Sequence, residues 1–178
     1  MTNVKPSVKR SIVDRMRGAA MLDIATYEEV EADTKATGQA ALVVAIAAVC
    51  SAIGAIGHQE FDPLGTLIST LFGWLVWSGV TYVIGDKMFG GTATWGELLR
   101  TLGFAKSPYV LLVFGIIPVF GYLVWVTVAI WTLVAGIIAI RQALDFSTQK
   151  ALLTALVAWV IEYAVFWALG VEGMTPGF

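Results

Sequence analysis

The chain has 178 residues, 58% hydrophobic and 13% charged, with a mean hydropathy of +0.80. A soluble domain is roughly half apolar and about a quarter charged. A soluble enzyme and a disordered chain are therefore excluded, and a net charge of −2 with a pI near 5.3 leaves no basic field for nucleic acid. A single cysteine, Cys50, and a single histidine, His58, exclude a disulfide framework, a cysteine-based metal centre and an HExxH site. The class is an all-α integral membrane protein for which no metal or cofactor is expected.

Residues 1–35 read as a cytoplasmic head. Within 5–22, basic and apolar positions mix, and Val8, Ile12, Met16 and Ala19 share one helical face. That pattern predicts an interfacial helix drawn to anionic headgroups. The plainer alternative is that Lys5, Lys9, Arg10, Arg15 and Arg17 only orient the first span. An acidic run follows, with Glu28, Glu29, Glu31 and Asp33. Thr26-x-x-Glu29 has the form of a capping box, which makes these acids the first turn of a short helix; a cation or a basic partner is the other reading. EF-hand spacing is absent. Together the basic face and the acidic run form the candidate surface for lipids or a partner. No cleavable signal peptide is expected, because the first apolar run begins late and has full-span length.

Five spans follow in chain order, at about 36–57, 64–85, 97–117, 119–140 and 150–170, with an outer tail at 171–178. The stretch 107–140 poses a length problem. Its 34 residues would make about 51 Å of α-helix, too long for one crossing and too short for two. Pro118-x-x-Gly121 marks a break. The third span then has to start upstream, where Thr94-x-x-Glu97 is a capping-box pattern and Trp95, Leu98, Leu99 and Leu102 fall at helical spacing. This predicts one helix from near Trp95, kinked at Pro108, with Arg100 and Lys106 snorkelling to the inner interface. A re-entrant half-helix over 107–118 remains the alternative.

Charge placement favours the odd count. With the N-terminus inside, segment 1–35 carries six basic residues, 86–106 three and 141–150 two, which accounts for all 11 Lys and Arg. The outer segments hold none, as the positive-inside rule requires. The C-terminus therefore faces out. No internal repeat is visible, and five spans do not divide into inverted halves.

The run TYEEVEAD ahead of the first span, then Gly-Phe-Ala-x-Ser-Pro at 103–108, Ile-Pro-x-x-Gly at 117–121 and Arg-Gln-Ala-Leu at 141–144, resemble prokaryotic members of the Yip-domain family. The resemblance covers about residues 20–165. It implies a five-span helical bundle with a cytoplasmic N-terminus, in a bacterial inner (plasma) membrane. Eukaryotic members interact with Rab/Ypt GTPases and act in ER–Golgi trafficking and membrane shaping.

Glu162 is the one ionisable residue well inside an expected span. It lies on a face with Ala151, Ala155 and Ala158 that permits close helix contact. It reads either as a protonated carboxyl gluing helices together or as part of a proton or ion relay. His58 and Thr70 are the chief candidate partners, with Thr66, Ser69 and Tyr122 at similar depth. Asp86 with Lys87, and Arg141 with Asp145 at i, i+4, are expected as ion pairs at the inner surface. The tryptophans read as bundle and interface residues. Ala47, Ser51 and Ala55 on the first span, and Ala135 and Ala139 on the fourth, form small-residue stripes. No nucleophile–base pair, metal set or phosphate cradle is present. The expected function is non-enzymatic: organising or scaffolding the membrane, or acting in trafficking, through lipids and through other membrane proteins or copies of itself. An accessory subunit of a larger complex and a small transporter or channel using Glu162 are the alternatives.

Overall fold

The computed structural model describes residues 10–56, 62–117 and 119–168. The chain begins with a short helical hairpin. Helix α1, Ile12–Ala20, starts at Ser11, whose hydroxyl accepts from the Asp14 amide while the Asp14 carboxylate accepts from the Ser11 amide. A turn through Leu22, at φ 61°, leads into α2, Ile24–Ala32. The helix therefore begins two residues before Thr26, and the expected cap at Thr26 does not form. The Thr26 hydroxyl is buried and donates to Asp23 at 2.7 Å instead.

Helix α3, Ala36–Gly54, buries Ala36, Ala40, Val43, Val44, Ala47 and Ala48 completely. Its small face admits the later helix α5: a methyl group on Gly103 would lie 2.8 Å from the Ala40 methyl. Helix α4, Pro63–Tyr82, is started by Asp62, which accepts from the Gly65 amide, and continues as a π-helical turn over Val83–Met88.

Helix α5, Trp95–Ala105, opens on the Thr94/Glu97 capping box. A 3-10 helix, Ser107–Ile116, follows where the sequence suggests a kinked α-helix. The cause is local. Pro108 has no N–H to donate to the Phe104 carbonyl, and the Ser107 hydroxyl takes that carbonyl at 2.6 Å. A 3-10 helix rises about 2.0 Å per residue against about 1.5 Å for the α form. The change in helix type thus lengthens the segment, which resolves the shortage of residues noted in the sequence. The 3-10 helix runs beside α3 to its far end, where Gly54, Gly115 and Gly121 bring three backbones together. A methyl on Gly115 would sit 3.1 Å from the Gly54 carbonyl oxygen.

Helices α6, Phe120–Ala143, and α7, Thr148–Ala168, complete the bundle. Helix α7 packs against α4 and α6. Among the described residues four segments are long and apolar enough to cross a membrane: Ala36–Gly54, Pro63–Met88, Trp95–Ile116 and Phe120–Ala143. The perimeter is apolar, with Leu42, Ile68, Phe72, Leu123, Ile130 and Leu153 all exposed.

Candidate functional site

Two polar clusters stand out against this apolar frame. The first lies inside the bundle. Ala151, Thr154, Ala155, Ala158 and Glu162 form the buried face of α7, and Glu162 is 1% exposed. Its Oε1 has no hydrogen-bond partner. Lys106 ends α5 and is buried. Its ammonium lies 4.8 Å from the Tyr109 ring centroid, a cation–π distance, and its charge is near enough to be felt by Glu162. Lys106 thus points into the bundle, not toward the interface as expected, because the α-to-3-10 junction carries it among buried Ala105, Ser107 and Pro108.

Of the partners anticipated for Glu162, Thr70 spends its hydroxyl within its own helix, donating one turn back to the Thr66 carbonyl at 2.7 Å, and His58 lies outside the described residues. The Ser78, Thr81 and Thr132 hydroxyls are buried and unpartnered. Thr132, Lys106, Trp74, Trp77 and Ala155 line a cavity of about 30 Å³, room enough to admit water. Trp74 ties the neighbouring helices, its indole N–H donating to the Leu99 carbonyl at 3.1 Å. Lys106 was legible in principle: a buried acid calls for a counter-charge, and Lys106 borders the long apolar stretch.

The second cluster is the N-terminal hairpin. Arg15 is 1% exposed, and its guanidinium donates to Glu29 at 2.9 Å, to Asp33 at 2.7 Å and to Gln39 at 2.8 Å. Arg10 pairs with Asp23 at 3.1 Å and with Glu29 at 3.2 Å. These two arginines and the acidic run therefore meet each other. Arg17 and Glu28 stay exposed, and Glu28 accepts from Gln142 at 3.2 Å. Lys5 and Lys9 lie outside the described residues. Arg100 is buried and its Nε donates to the Val30 and Glu31 carbonyls, where the last carbonyls of a helix carry partial negative charge. Burial, reinforced by the charges of Glu97 and Asp145, pushes the Glu31 carboxyl up to about 7.

At the same end of the bundle Asp86 pairs with Lys87 at 2.7 Å. Arg141 and Asp145 do not pair. Helix α6 stops at Ala143, and Asp145, at φ 54°, leaves helical register and accepts from the Thr92 hydroxyl at 2.8 Å. Arg141 donates to Gln142 instead.

Several long apolar helices with an apolar perimeter define a multi-pass helical membrane protein. The Yip1 domain family model matches residues 24–169, and the chain belongs to that family. No curated protein and no solved structure matches it.

Proposed function

We propose that the chain is a non-enzymatic, five-span protein of a bacterial inner membrane that organises or curves the bilayer through lipids and through other membrane proteins or copies of itself. Helix α7, at 21 residues, supplies the fifth span. That count puts the N-terminus inside, the C-terminus outside and the segments that carry the 11 cations on the cytoplasmic side, with Lys106 turned from there into the bundle. The observation that carries the reading is the docked head. Arg15, Arg100 and Gln142 hold α1 and α2 against each other and against the bundle. What the described residues then offer their surroundings is mainly an apolar perimeter.

The test is reconstitution of the purified protein into vesicles of anionic phospholipid, imaged by electron cryomicroscopy. Tubules or clustered vesicles support the proposal, and vesicles that keep their shape and spacing overturn it. A stoichiometric partner retained in mild detergent favours an accessory subunit. The buried Lys106–Glu162 pair beside the small cavity favours a second reading, a small transporter, which requires an ion flux that Glu162→Gln abolishes.

A further inference from the structure

The head does not simply rest on the end of the bundle. Trp131 precedes Gln142 by 11 residues on α6, about 16 Å along the helix. Its indole N–H donates to the carbonyl of Ala20, the last residue of α1, at 2.7 Å. Gln142 meanwhile contacts Glu28, on the second turn of α2. The α1–α2 turn is thus sunk well down α6, past its basic end. Helix α1 also contacts the 3-10 helix, which begins two turns beyond Arg100. The stretch of α6 along which the hairpin lies is itself bordered by exposed Leu133 and Val134, an apolar strip that is costly to leave in water.

The hairpin is built for such a place. Its inward face holds Arg15 and Ala19; Arg15 is neutralised within the hairpin by Glu29 and Asp33, and the partly exposed Arg10 pairs with Asp23 and Glu29. Its outward face carries Val13, Arg17 and Met21 at i, i+4, i+8, followed by Ile24. Val13 and Met21 are each 68% exposed.

We propose that α1 and α2 form a helical wedge that enters the bilayer from the N-terminal side and ends within that leaflet. Val13, Met21 and Ile24 contact acyl chains, and Arg17 reaches back to the phosphates of anionic headgroups. A wedge in one leaflet adds area to that leaflet alone. This rests on the membrane-organising reading for its consequence, though not for its position.

The test therefore reads depth and not vesicle shape. Single cysteines at Val13, Met21, Ile24 and, as an aqueous reference, Thr34 are introduced in a Cys50→Ala background. All four positions are exposed, so the fold tolerates them. Each carries a nitroxide label in vesicles of phosphatidylethanolamine and phosphatidylglycerol. The wedge predicts an oxygen-to-nickel-chelate collision ratio severalfold higher at Met21→Cys than at Thr34→Cys, with Val13→Cys between them. A ratio at Met21→Cys equal to that at Thr34→Cys overturns it. Exclusion of both quenchers at Met21→Cys, with spin–spin broadening, also overturns it and assigns the face to a second copy of the chain. Undistorted vesicles with a deep Met21 label sink the shaping function and leave the wedge standing.

Discussion

Arg15→Met is the sharpest perturbation the hairpin offers. Methionine keeps an apolar stem of similar reach and removes the guanidinium. Four hydrogen bonds are lost: two to Glu29 at 3.2 and 2.9 Å, one to Asp33 at 2.7 Å and one to Gln39 at 2.8 Å. Removing one member of a buried pair costs about 3–5 kcal/mol, because the charge left behind is stranded. Here the stranded carboxylates are 28% and 22% exposed, so water recovers part of their solvation. The loss falls to roughly 2–3 kcal/mol, which at about 1.4 kcal/mol per decade opens the hairpin some 30- to 140-fold more often. Hydrogen exchange of the protein in lipid nanodiscs reads this directly. Amides of α1 and α2 should exchange faster by that factor, while those of α4 and α7 are unchanged. Lys35→Met, at an exposed position, is the control, with an effect within about 0.5 kcal/mol. Adding Asp33→Asn to Arg15→Met should cost less than the sum of the two single losses. Exchange in Arg15→Met no faster than in Lys35→Met would refute the clamp.

Docking of α2 should depend on pH through Glu31. Its folded value is raised from 4.5 to about 7, so its contribution is complete below 4.5 and is lost as the pH rises through about 7. Exchange of α2 amides, corrected for intrinsic rates, should slow as the pH falls across that window, and Glu31→Gln should flatten the dependence. Gly115→Ala places a methyl 3.1 Å from the Gly54 carbonyl oxygen and 3.2 Å from its Cα, backbone that has no rotamer to yield. A loss of about 1–3 kcal/mol is expected as a lower unfolding temperature in detergent; Gly136→Ala, which meets nothing within 4 Å, should be silent. Lys106→Met and Glu162→Gln should each reduce the folded fraction, whereas Lys106→Met with Glu162→Leu should recover much of it, because no lone charge stays buried. Additive losses in that cycle would show that the two residues do not act as a pair.

Much of this protein is written in one-dimensional patterns. The apolar runs that supply the four candidate spans, the capping box at Thr94, the break near Pro118 and the family's motif order are local properties, readable from spacing alone. So is the isolation of Glu162 on an alanine face, since helical phase depends only on residue number. What the patterns leave open is where long side chains end. Lys106 and Arg100 look alike on the sequence, as bases flanking an apolar helix, yet both turn inward, to Glu162 and to the end of α2. Arg15 has the same appearance on an amphipathic helix and is the most enclosed cation among the described residues of the head. Each choice depends on a partner brought from elsewhere in the chain. Local spacing sets which face a residue occupies, but the energy of a charge depends on the dielectric and the counter-charges around it. Those surroundings exist only once α2, α5 and α7 have packed together.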